Sequence, residues 1–170
     1  MKLATEAQRH RARNSRETAR IRAQVREDWR SALGLATAKD ADLAGMSSTS
    51  LKGLTERIIG CAIEVHRQLG PGLLESTYES ALAVELELNG PRFQRQVPFP
   101  ISYKGRIIGE HRLDLLVEKA VVLEIKSVDR HEPVFEAQVL TYLKITGLKR
   151  ALLINFNARL LKEGIKRFVL

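Results

Sequence analysis

The sequence predicts an α/β domain over residues 46–170 behind a basic, helical or partly disordered extension over residues 1–45. Three observations lead there. Apolar residues Leu51, Leu54, Ile58, Ala62, Val65 and Leu69 recur at steps of three and four, as on one helix face. Arg106 to Val117, Val121 to Lys126 and Arg150 to Phe156 are short apolar runs bounded by turn residues, as strands are. Between the last two runs lies a helical pattern that opens with Pro133 and stops at Gly147.

The elements follow in order. From Arg9 to Arg30 the chain is rich in Arg and Ala, and Ile21, Val25 and Trp29 give it a thin apolar stripe at helical spacing. A small-residue linker follows, ending in Met46-Ser-Ser-Thr-Ser, and Met46 is expected to open the functional domain and to serve as an alternative translation start. The helix from Leu51 ends at Gly70-Pro71-Gly72, which no helix continues through. A second helix is expected from about Leu73 to Asn89, stopped by Gly90 and Pro91. Phe93 to Tyr103 and Arg106 to Val117 form two strands joined by a tight turn at Lys104-Gly105, and Pro98 and Pro100 confine the first of them to an edge or a strand end. Val121 to Lys126, Pro133 to Thr146 and Arg150 to Phe156 supply strand, helix and strand, and Ile165 to Leu170 a fifth strand.

Composition narrows the function classes. The chain of 170 residues is 44% hydrophobic, enough for one domain with a core. No apolar stretch approaches the roughly 18 residues of a membrane span, so a cytoplasmic protein without a membrane partner is expected. One cysteine and four scattered histidines do not make a zinc site, and Cys61 reads as a packed core thiol. The net charge of +8 divides evenly between residues 1–50 and 51–170, and suits a polyanionic partner.

Asp114 lies in one predicted strand, and Glu124 and Lys126 lie in the next. Because strand side chains alternate, Glu124 and Lys126 share a face while Leu123 and Ile125 take the other. About one acid-x-Lys tripeptide arises by chance in a chain of this composition, so the weight comes from the context. Charged groups inside an apolar strand are costly unless they pair or bind a cation. Two carboxylates and an ammonium are parts that can hold a hard divalent cation beside water and phosphate. An ordinary Glu-Lys ion pair is the competing reading.

Two helices carry polar groups on apolar faces. At about 100° per residue, Glu75 falls within about 20° of Leu82 and Leu86. Its carboxylate either meets free backbone N–H groups at the helix start or reaches over the sheet toward Asp114 and Glu124. Gln138 and Tyr142, four apart, share a face with Val134, Ala137, Thr141 and Ile145. Singly, they read as a buried pair satisfying each other; together with the acids, they line a pocket. His66 and Arg67, at the end of the first domain helix, are candidates for phosphate contact or for favourable interaction with the helix dipole. His111 flanks the Asp114 strand.

Taken together, helix with Glu, strand with Asp, strand with Glu-x-Lys and helix with Gln-x-x-x-Tyr resemble the PD-(D/E)xK nuclease superfamily. Gly72-Leu-Leu-Glu75-Ser-Thr-Tyr78 is similar to the signature of its GxxExxY branch, as are Val65-His66-Arg67-Gln68-Leu69-Gly70-Pro71-Gly72, Glu136-Ala-Gln138-Val-Leu-Thr-Tyr142-Leu-Lys144 and Leu153-Ile-Asn155-Phe156. The resemblance covers residues 51–170. It implies a restriction-endonuclease-like core, a mixed central sheet flanked by helices, and hydrolysis of DNA or RNA, as in repair, recombination or defence.

By resemblance, Asp114, Glu124 and Glu75 are the metal ligands for Mg²⁺, with Mn²⁺ as a substitute, and Lys126 orients water and neutralises phosphate charge. Gln138 and Tyr142 match the substrate-side motif. Two positions depart from the pattern: Leu113 replaces the proline of the superfamily's name, and Phe135 stands where the closer family often has His. The alternative function is a nucleic-acid-binding or scaffolding protein that keeps the nuclease fold with little hydrolysis.

Overall fold

The computed structural model describes residues 2–34 and 48–170. The linker with Met46 lies outside them. Helix α1 (Lys2–Ala32) precedes α2 (Ser48–Leu69), α3 (Glu75–Asn89), β1 (Phe93–Tyr103), β2 (Arg106–Val117), β3 (Val121–Lys126), α4 (Pro133–Thr146), β4 (Arg150–Asn155) and β5 (Ile165–Val169), with a 3₁₀ turn at Leu161–Glu163.

The five strands lie in sequence order, β1 at one edge and β5 at the other. Neighbours are antiparallel except β3 and β4, which run parallel and are joined through α4. The crossover is what a parallel pair demands. The sheet is mixed and the fold is α/β, and the prolines of β1 do sit on an edge strand.

Each face of the sheet has its own core. Leu54, Ile58, Val65, Tyr78, Leu82 and Leu86 of α2 and α3 close over Leu115, Leu123, Ile125, Leu152 and Ile154. Trp29 of α1 and Val139, Tyr142 and Leu143 of α4 cover Leu113, Leu116, Val122 and Leu153 on the other face. Cys61 is a buried free thiol.

The inner stripe of α4 differs from the expected one. Val139, Tyr142, Leu143 and Thr146 are buried at helical spacing, while Val134, Ala137 and Thr141 face outward. Val139, Leu143 and Thr146 place the larger apolar surface about a third of a turn away from the predicted stripe, so Tyr142 stays inside, Gln138 and Ile145 are half-buried, and Val134, Ala137 and Thr141 turn out. The stripe of α1 docks at its C-terminal end: Trp29 is 8% exposed and donates its indole N–H to Pro98 O at 2.7 Å. Farther along, Ile21 rests on the hairpin turn, where a Cβ added to Gly105 would fall 2.6 Å from Ile21 Cδ1.

Candidate active site

Asp114 sits where the sheet opens. Arg95 pairs with Leu115 and Val97 with Leu113, so the β1–β2 ladder skips Gln96 opposite Asp114. On the other side, the β2–β3 ladder ends at Leu115 and Leu123. Leu113 and Leu115 pack into opposite cores although they are two residues apart, so strand alternation changes phase at Asp114. Gln96 meanwhile adopts φ +49°, a left-handed conformation that takes it out of the ladder without shifting the register on either side. The freed Asp114 carboxylate accepts the Ile125 amide at 2.7 Å, in place of a ladder bond.

Glu124 lies on the α4 side, as alternation with Leu123 and Ile125 requires. It is 2% exposed; Oε1 accepts from Lys126 Nζ at 2.6 Å, and Oε2 is buried with no hydrogen-bond partner among the described residues. Burial, followed by the charge of Asp114, raises its pKa to about 7. Burial likewise raises that of Asp114, against the opposing pull of the Ile125 amide. For Lys126, burial opposes the ammonium, yet the bond and charge of Glu124 carry its pKa upward. The cluster therefore retains protons that isolated groups would shed.

Glu75 begins α3, and its Oε1 accepts the Ser127 amide at 3.2 Å, at the end of β3. Its charge also acts on Asp114, Glu124 and Lys126. The neighbouring loop is pinned twice. Tyr78 OH donates to Gly70 O at 2.6 Å and accepts from Leu73 N at 3.1 Å, while Ser127 Oγ donates to Leu73 O at 2.6 Å. Tyr78 also stacks on Phe156 at 4.6 Å. Gly72, at φ +102°, supplies a backbone conformation that a side chain would strain. Gly72 and Tyr78 thus aim Glu75 at the strand end.

Tyr142 is buried in α4 and receives a short hydrogen bond from Gln138 Nε2. Burial raises its pKa to about 12, with the charges of Glu124 and Asp114 contributing, so it remains a neutral phenol. Its ring meets Phe99 edge-on at 5.1 Å and His111 at 6.1 Å. Phe135 places its ring 5.5 Å from Lys126 Nζ, a cation–π contact. His66 and Arg67 lie elsewhere: His66 Nε2 bonds Ala158 O at 2.9 Å, and Arg67 forms a two-pronged pair with Glu64.

Glu79, Gln96 and Ser127 were not anticipated. They join Glu75, Asp114 and Leu73 around a cleft of about 560 Å³. Buried Glu79 accepts from Arg95 Nε at 2.8 Å and from Gln96 Nε2 at 2.7 Å. The sequence did hold a signal, since Glu79 is four residues after Glu75 and within about 20° of Leu86 on the same helical stripe. Asn155 was missed as a loop anchor; its amide grips both the N–H and C=O of Val128.

A family model described as the PD-(D/E)XK nuclease superfamily matches residues 52–168. The chain belongs to that superfamily. Its members are nucleases that generally use divalent metals, and the mixed sheet with flanking helices accords with their fold. No curated protein and no solved structure matches the chain. Among the described residues, no three His, Cys, Asp or Glu side chains are grouped so as to hold a metal ion. Two hard carboxylates with one buried, unpartnered oxygen nevertheless suit a divalent cation by donor chemistry. No helix among the described residues is long and apolar enough to cross a membrane.

Proposed function

We propose that the chain hydrolyses phosphodiester bonds of DNA or RNA with Mg²⁺, or Mn²⁺ in its place, and that it is a GxxExxY protein. The observation that carries this reading is Glu124: a carboxylate almost entirely buried beside Asp114, with one oxygen on Lys126 and the other unpartnered. Leaving such a group without a role is costly.

Asp114 and Glu124 would hold the cation, with Glu75 supporting them from α3. When bound, the cation lowers the pKa of water and draws charge from a phosphate oxygen. Lys126 holds a positive charge beside the carboxylates and donates to water or phosphate. Gln138 and Tyr142 keep a neutral, hydrogen-bonded wall under the cluster. A substrate role for His66 or Arg67 would require each to leave an internal partner. A cytoplasmic setting accords with the free, buried Cys61.

Cleavage of single- and double-stranded DNA and RNA with Mg²⁺ or Mn²⁺ tests the reading. Asp114→Asn and Lys126→Ala are each expected to lose at least about 100-fold in rate, the scale of a removed electrostatic group. Equal cleavage by wild type and both variants would assign the activity to a contaminant. The second reading, a binding protein with little hydrolysis, draws on the absence of a grouped three-ligand site among the described residues. Lack of cleavage on every substrate would favour it.

A further inference from the structure

The proposed site uses nothing of α1, which nevertheless carries a charge pattern of its own. Arg9, Arg13, Arg16 and Arg20 follow one another at steps of four, three and four. At about 100° per residue they fall within an arc of about 60°, roughly opposite the docked stripe of Ile21, Val25 and Trp29. All four are exposed, and none forms an ion pair with a described residue. The row is about 16 Å long at about 1.5 Å rise per residue. Glu17 lies off it by about 60°, and only Glu27 falls in line, two turns farther on.

Docking holds the helix on the domain just beyond this row, from Ile21 onward. Trp29 bonds Pro98 O, Lys119 Nζ donates to Gly34 O at 3.0 Å, and Ile21 seats on the hairpin turn at Gly105. The basic row therefore continues, in one unbroken helix, from a docked C-terminal half. Arginine at each position favours phosphate, because the planar guanidinium presents paired donors and is weakly hydrated. A row of point contacts at helical spacing reads no base sequence, since phosphate contacts position a strand without specifying it.

We infer that the outward face of α1 is a sequence-independent docking surface for the phosphate backbone of a nucleic acid. It rests on the phosphodiesterase reading for its biological sense: the arm holds a long substrate while the acidic cluster acts elsewhere along it. Four arginines contact backbone phosphates and release their counterions, so binding through this face depends strongly on salt.

The test measures binding of a labelled 30-base-pair DNA duplex by the full chain, with EDTA present so that the probe stays intact. Arg9, Arg13, Arg16 and Arg20 are replaced together by Gln, and separately by Lys, both good helix formers. The Gln variant should bind more weakly, and the slope of log affinity against log salt should shrink by about 3.6 for four lost phosphate contacts. The Lys variant should retain most of that slope. Wild-type affinity and slope in the Gln variant would overturn the inference, as would binding of anionic phosphatidylserine vesicles in preference to the duplex. Binding does not require cleavage, so arginine-dependent binding by an inactive wild type would support the arm while removing the hydrolase reading.

Discussion

Gln96 Nε2 donates to Glu79 Oε2 at 2.7 Å, and this bond holds β1 in a left-handed turn opposite Asp114. Without it, Gln96 would be free to rejoin the ladder and close the gap from which the Asp114 carboxylate emerges. Glu79→Ala removes the acceptor for Gln96 and Arg95 at once. The change should cost about 2 kcal/mol, within the range for hydrogen bonds to charged groups. Urea denaturation measures it, and a loss below about 0.5 kcal/mol, the scatter of ordinary surface changes, would show that β1 holds its shape unaided.

Tyr78→Phe keeps the stack on Phe156 and deletes only the hydroxyl that bridges Gly70 and Leu73. A loss of about 1–2 kcal/mol is expected for two part-buried hydrogen bonds. Amide exchange should quicken at Leu73 and Leu74. Unchanged exchange there would separate the tyrosine from the placement of Glu75.

The Glu124 carboxyl gives the metal-free protein a pH dependence of definite sign. Its folded pKa is raised from 4.5 to about 7, so the folded state binds the proton more tightly than the unfolded state does. The associated stability is fully present below 4.5 and is lost as pH rises through 7. In EDTA, the melting temperature should fall between pH 5 and pH 7.5, and Glu124→Gln should flatten that fall. An equal fall in both proteins would place its origin in other groups.

Cation binding should act in the opposite sense at neutral pH. Millimolar Mn²⁺ should raise the melting temperature, as any ligand of the native state does, and Asp114→Asn should abolish the rise. Wild type that melts at the same temperature with and without Mn²⁺ would count against Asp114 and Glu124 as its ligands.

Trp29→Ala removes both the packing and the indole bond that attach α1 to the sheet. About 3 kcal/mol should be lost, the lower end for deleting a buried aromatic. Trypsin should then cut at the α1 arginines sooner than in wild type. Equal resistance would mean that the helix is held by other contacts.

Much of this was readable from residue patterns. The three-four spacing in α2 from Leu54 to Val65, the Gly and Pro stops, and the alternation that separates Glu124 from Ile125 are local rules that the structure obeys, while Leu69 at the helix end is exposed. That Glu75 needs a partner was legible from its place on an apolar stripe, but the partner was not: neither the helix start nor Asp114 or Glu124 bonds it, and it accepts the Ser127 amide. The left-handed Gln96 was not legible. Nothing in Gln favours positive φ, and the conformation comes from Glu79 across 17 residues of chain. The rotated inner face of α4 was hidden for a related reason: Val134 and Ala137 are apolar but small, and the larger Leu143 decides which side turns inward.

The central position of β3 also bears on biosynthesis. Its second neighbour is β4, which the ribosome makes only after Glu75, Asp114, Glu124 and Lys126 have all been polymerised. A nascent chain that stops short of Arg150 carries every charged group of the cluster but lacks the strand that completes the sheet around Glu124. Truncation ahead of β4 would thus leave Glu124 on an open sheet edge, and the cluster takes shape only once Leu153 lies beside it.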